Sequence, residues 1–164
     1  MPKAKSNGRT GKNGKDAIAV LKADHDKVRK LLKEMEEAEE GDQREELLQT
    51  IEQELTVHTK IEEEIFYPAF RDAAEKDEDQ KLYLEALEEH HVVDLVMPEI
   101  KETDAGSAEF AAKAKVLKDL VEHHAEEEES EMFPRARKLM DRDELMRLGE
   151  QLEERKGALT DSRA

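Results

Sequence analysis

Two stretches of the chain repeat one pattern. His58-Thr-Lys-Ile-Glu62-Glu-Glu-Ile-Phe-Tyr-Pro68 and His124-Ala-Glu-Glu-Glu128-Glu-Ser-Glu-Met-Phe-Pro134 each set a His, a Glu four residues on and a Pro ten residues on. Residues four apart share one face of a helix, so each stretch predicts a helix whose inner stripe carries an imidazole and a carboxylate. Few folds accept this: two ionisable pairs go into the interior, and each needs a partner that offsets the cost of its burial.

The stripes continue along the chain at helical spacings of three and four. A first helix reads Ile18, Leu21, His25, Val28, Leu32 and Met35 and ends near Gly41. A second, with Asp42 as N-cap and Glu45 three residues later, reads Leu48, Ile51, Leu55, His58, Glu62, Ile65 and Ala69. Beyond a charged connector from Asp72 to Gln80, a third reads Ala86, His90, Val93, Met97 and Ile100 and stops before the turn residues Thr103 to Ser107. The fourth reads Phe110, Ala114, Leu117, Val121, His124 and Glu128, and Leu145, Leu148 and Leu152 predict a short capping helix between Asp141 and Lys156. Pro68, Pro98 and Pro134 lie late in the second, third and fourth helices, where a missing donor kinks or ends a helix.

The pattern is also a duplication. Asp24-His25-x-x-Val28 is answered by Glu89-His90-x-x-Val93, and the step from His25 to His58 nearly matches that from His90 to His124. Two helical hairpins related by a pseudo-twofold axis bring all four His together. Composition agrees: with 43% charged residues, 4% aromatics, no Trp and seven Gly, the chain suits long helices, and 164 residues suit one domain. The predicted fold is an all-α bundle of four long helices, followed by a short C-terminal helix and tail over 141–164.

Residues 1–15 hold five cations, Lys3, Lys5, Arg9, Lys12 and Lys15, and no carboxylate, so they predict a disordered basic tail on a body more acidic than the overall charge of −16. Such a body repels nucleic acid, leaving the tail as the one segment suited to phosphate. No apolar run is long enough for a membrane span and no secretory signal opens the chain, so a soluble cytoplasmic protein is expected. The absence of Cys excludes disulfides, thiolate metal sites and thiol nucleophiles.

The inward-facing polar residues point to metal. His-x-x-x-Glu offers a nitrogen and an oxygen to one centre, and two copies with His25 and His90 give four imidazoles and two carboxylates: His25, His58, Glu62, His90, His124 and Glu128. A nitrogen and oxygen set without sulfur suits iron, with manganese or zinc behind it, and bridging carboxylates favour a dinuclear centre. The matched Pro selects His124 over its neighbour His123, and the match to Asp24-His25 selects His90 over His91. Tyr83, two turns before His90, is read as a core aromatic close to this face.

These linked motifs, a lone His, His-x-x-x-Glu-Glu with Tyr-Pro, Glu89-His90-His91-Val92-Val93-Asp94, then His-His-x-x-x-Glu-Glu with Met132-Phe133-Pro134, resemble the hemerythrin-like, or HHE cation-binding, family over roughly residues 16 to 140. The resemblance implies an up-down-up-down four-helix bundle over residues 16–140 with a non-haem di-iron centre in its core, two irons per chain, held by the six residues named. Oxygen-carrying members have a further His on the third helix, whereas here His90 is followed at the fourth position by Asp94, an additional oxygen ligand or a polar residue beside the core. More anionic oxygen favours ferric iron and lowers the prospect of reversible oxygen release. The expected function is binding of, or reaction with, oxygen, peroxide or nitric oxide; an iron-buffering or sensing module without turnover is the alternative, and enzyme status and oligomeric state stay open.

Overall fold

The computed structural model describes residues 14–161, and every element among them is helical. Four long helices form the bundle: α1 (Ala17–Glu37), α2 (Gly41–Ile61), then, after the short α3 (Tyr67–Ala73), α4 (Asp77–Lys101) and α5 (Ala108–Glu127). The short α6 (Phe133–Leu139) and the long α7 (Arg142–Asp161) complete the chain. Short turns join the successive long helices, so they run antiparallel. The predicted basic tail lies almost wholly outside the described residues.

Local chemistry explains most helix starts. Asp16 caps α1 by accepting from the Ala19 amide at 2.8 Å, and Ser107 caps α5 by accepting from the Phe110 amide at 3.1 Å. The start of α2 departs from expectation: Glu40, not Asp42, precedes it, with no side-chain cap. A tertiary contact sets this start. A Cβ on Gly41 would fall 3.2 Å from the Gly106 amide, and Arg44 donates to the carbonyls of Ala38 and Ala105 at 2.9 and 3.0 Å, fastening the α1–α2 turn to the α4–α5 turn.

The prolines neither end nor break the second and fourth helices. Each follows a single π-helical turn, Glu62–Phe66 before Pro68 and Glu128–Met132 before Pro134. The Tyr67 amide bonds the Glu62 carbonyl and the Phe133 amide bonds the Glu128 carbonyl, five residues back. The wider register relieves the clash between a proline ring and the carbonyl four residues before it. Pro98 lies inside α4, which continues to Lys101.

Two further expectations are corrected. The connector from Asp72 to Gln80 shrinks to residues 74–76, because Asp79 is buried and accepts from the Glu75 and Lys76 amides at 3.1 Å and from Arg135 at 2.6 Å. The fifth helix is not short: at 20 residues α7 equals α5. Its Leu145, Leu148 and Leu152 are buried, and Gly149 meets the start of α1 so closely that a Cβ there would fall 2.3 Å from the Lys15 carbonyl.

The core is divided along the bundle axis. One apolar cluster runs from Val28, Leu32 and Met35 through Leu48, Ile51 and Leu55 to Ile100, Phe110 and Leu117. The other joins Ile18, Leu21, Phe66, Phe70, Met132 and Phe133 to the buried leucines of α7. Between them lies a layer of buried polar side chains: Asp24, His25, His58, Glu62, His90, His124 and Glu128.

Candidate metal centre

All six predicted ligands meet in this layer. One set of inward-facing ligand atoms comes from His25, His58, Glu62 and Glu128, a second from Glu62, His90 and His124, and within each set the atoms lie within 4.8 Å of one another. Each imidazole turns Nε2 inward. His58 and His90 Nε2 lie 3.1 and 3.2 Å from Glu62 Oε1, and His25 and His124 Nε2 lie 3.1 Å from Glu128 Oε1.

Three of the four outward ring nitrogens are held by carboxylates, and His90 Nδ1 has no hydrogen-bond partner. Nδ1 of His25, His58 and His124 donates at 3.0 Å to Glu129, Asp24 and Glu89 respectively, while His90 Nδ1 faces Glu63 Oε2 at 3.5 Å. Fixing the proton on Nδ1 leaves the Nε2 lone pair free and more basic, the usual arrangement around a ligated histidine. The pattern obeys the duplication: the acid before each lone His holds the His of the next helix, and the acid after each inner Glu lies against the opposite lone His.

The centre is poorly satisfied by protein alone. Glu62 is fully buried, and both its oxygens and His58 Nε2 lack hydrogen-bond partners. Buried Glu62 oxygens close to imidazole nitrogens without hydrogen bonds between them fit a shared cation, which removes the desolvation cost of the carboxylate. Without a cation, protons do this work. Burial by itself opposes charge on His58, but the nearby Glu62 charge and the hydrogen bond to Asp24 push it up to about 10. Burial likewise opposes ionisation of Glu62, yet the charge of His58 and the closeness of the His58, His90 and His124 imidazoles hold it well below the usual carboxylate range.

Sequence reasoning missed Tyr67. Its hydroxyl donates to Glu128 Oε2 at 2.8 Å and lies 3.2 Å from His90 Nε2, and its ring stacks on His90. Burial first, then the charges of Glu128 and Glu62, raise its pKa well above the ordinary phenol value, so it keeps its proton. Tyr67 precedes Pro68 as Phe133 precedes Pro134, so the difference between the repeats was the available signal; Tyr83 instead packs half-buried against the core. Asp24 and Glu89 were legible as repeat markers but not as partners of His58 and His124.

Asp94 does not join the centre. The inner stripe of α4 passes through His90, Val93 and Met97, which turns Asp94 outward into an exposed groove with Thr56, Lys60 and Glu63. His91 is exposed, and His123, 64% exposed, pairs at the surface with Glu127 at 3.2 Å.

A cavity of about 30 Å³ adjoins the four imidazoles. Val28, Leu55, Val93 and Val121 line it, each one turn from a ligand His on its own helix. Its size suits one or two water-sized molecules. No helix among the described residues is long and apolar enough to cross a membrane.

Comparison with known proteins bears on the same residues. The family model for the hemerythrin HHE cation binding domain matches residues 16–136. A crystal structure of a hemerythrin HHE cation binding domain-containing protein from Mycobacterium kansasii superposes with a TM-score of 0.74 and 28% identity, covering 90% of this chain and 89% of that one. A DNA nickase of Nostoc sp. is 30% identical over 114 residues, 70% of this chain but 31% of the relative, so the chain spans about a third of that protein's length.

Proposed function

The chain belongs to the hemerythrin HHE cation-binding family, and from that premise we propose that its core holds a non-haem di-iron centre that binds or reacts with a small oxidant: oxygen, peroxide or nitric oxide. His25, His58, Glu62 and Glu128 would hold one iron, and Glu62, His90 and His124 the second. The observation that carries the reading is the convergence of four Nε2 atoms on two buried carboxylates beside a small apolar cavity. Iron bound there would supply a redox-active Lewis acid.

The chain's own residues supply the rest. Val28, Leu55, Val93 and Val121 narrow the cavity to the scale of a diatomic or peroxide and exclude larger organic substrates. Asp24, Glu89 and Glu129 hold the rings of His58, His124 and His25 in one orientation, so the ligands need little rearrangement when a cation binds. Tyr67 keeps a proton on its hydroxyl beside Glu128, ready for an oxidant that gains charge. The overall charge of −16 opposes contact with nucleic acid outside the basic segment, so the DNA chemistry named for the Nostoc relative is not carried to this domain.

Anaerobic reconstitution with ferrous iron, metal counting, and separate exposure to oxygen, peroxide and nitric oxide with absorption spectra test the proposal. Two irons per chain and a spectral response to one of the three are expected, and peroxide consumption would make the protein an enzyme. Iron uptake with no response to any of them would favour buffering. No bound metal, or binding unaffected by His58→Ala combined with His124→Ala, would remove the assignment.

A further inference from the structure

The added helix reaches the centre, and it does so on one side only. α7 lies against α1, α2 and the first π turn. Arg155 grips Glu64 of that turn through two hydrogen bonds of 2.7 and 3.3 Å. One residue on, the Lys156 ammonium donates to Asp24 Oδ1, while Asp24 Oδ2 accepts from His58 Nδ1 at 3.0 Å. Asp24 is buried and Lys156 is 29% exposed, so the cation covers a carboxylate that water does not screen.

The other half of the repeat lacks this. Glu89 takes the place of Asp24, and its Oε1 accepts from His124 Nδ1 at 3.0 Å. Its Oε2 faces the exposed His123 at 3.5 Å, and no Lys or Arg ion pair to Glu89 is found among the described residues.

Resting on the dinuclear reading above, we infer that Lys156 is a positioning residue that weakens metal binding at one of the two positions, the one that includes His58. A carboxylate bonded to the Nδ1 proton of an imidazole strengthens the electron donation of Nε2. Lys156 neutralises Asp24 and so weakens that effect at His58, and its own charge opposes a nearby dication; His124 escapes both. The duplication supplies two related positions, with four and three candidate ligands, and α7 tunes the one that includes His25 and His58.

Zinc titration of the metal-free full chain by calorimetry tests this, with cobalt absorption spectra as the second readout. Wild type should take two equivalents. Lys156→Met should tighten one of them about tenfold, the lower end of the effect of outer ligand partners, and shift one set of cobalt bands, with the other equivalent held within about twofold. Lys156→Arg should restore both wild-type values, and His58→Ala should abolish the equivalent that moves. Lys156→Gln serves as a second neutral variant, and metal-free melting curves check that each variant folds. Both equivalents unmoved, moved alike, or weakened in the neutral variants would overturn the inference while leaving the dinuclear reading intact. A wild-type chain taking one equivalent would overturn both.

Discussion

The α1–α2 half and the α4–α5 half carry the same inner pattern and differ in what surrounds it. In both, an acid-His pair on the first helix faces a His-x-x-x-Glu on the second, and a π turn before proline presents the Glu. The phenol of Tyr67 has Phe133 as its counterpart, whose ring stacks on His25 without a hydroxyl to offer. Asp24 is covered by Lys156, whereas Glu89 opens toward exposed His123. Duplication thus sets ligands by helical period, and single substitutions at matched positions, with one added helix, make the two copies chemically distinct.

The inner carboxylates offer the largest test of this comparison. Glu62 belongs to both ligand sets and Glu128 to one. Glu62→Ala should therefore lose both metals and most of the metal-dependent stabilisation, about 4 kcal/mol per site where free metal stands at 1,000 times its Kd, while Glu128→Ala should keep a fraction of the metal. Elemental analysis and melting with and without chelator measure both.

Making the halves alike comes next. Tyr67→Phe removes the donor to buried Glu128 and should destabilise the metal-free protein by about 1–3 kcal/mol in urea unfolding, with slower turnover of any oxidant whose reduction needs a proton. An unchanged unfolding midpoint would show that the hydroxyl is not a structural partner.

Acidity gives opposite trends for the two states of the protein. His58 is held at about 10 in the folded metal-free chain against 6.5 ordinarily, so the folded state binds the proton more tightly. Its contribution is complete below pH 6.5 and is lost as pH rises toward 10, so the metal-free melting temperature should fall across that window. The metal-loaded protein should instead lose stability on acidification, as protons displace the cation. Parallel melting curves across pH would contradict this.

The smallest effect is expected at Asp94. Asp94→Asn should leave metal content unchanged and stability within about 0.5 kcal/mol, because the residue is exposed. A lost equivalent of metal would return Asp94 to the centre.

The helices and the six inner ligands were legible because they depend on a period. Ile18, Leu21, His25, Val28, Leu32 and Met35 all face inward as spacing requires, and the same holds from Phe110 to Glu128. Asp94 shows the limit: four residues from a ligand His means inward where α2 and α5 pass into their π turns, but within α4 the stripe steps to Val93 instead. Spacing within a helix fixes relative faces, and the rotation of the helix decides which edge of the stripe meets the centre. The π turns were hidden for a related reason. Proline signals a lost donor, and the choice between ending the helix and widening one turn depends on the buried contacts that Phe66, Tyr67, Met132 and Phe133 make on either side.

By itself the sequence determined an all-helical bundle, its internal duplication, and a core layer of four imidazoles and two carboxylates that calls for a cation. Tertiary structure alone decided the partners of the outward nitrogens, the cavity walled by four helices, the hydroxyl of Tyr67 at Glu128 and the reach of Lys156 to Asp24. These contacts join residues as far as 132 positions apart. No local period relates such residues, since their meeting depends on the axial offset and rotation of whole helices, which are fixed only when the apolar clusters on both sides of the polar layer close together.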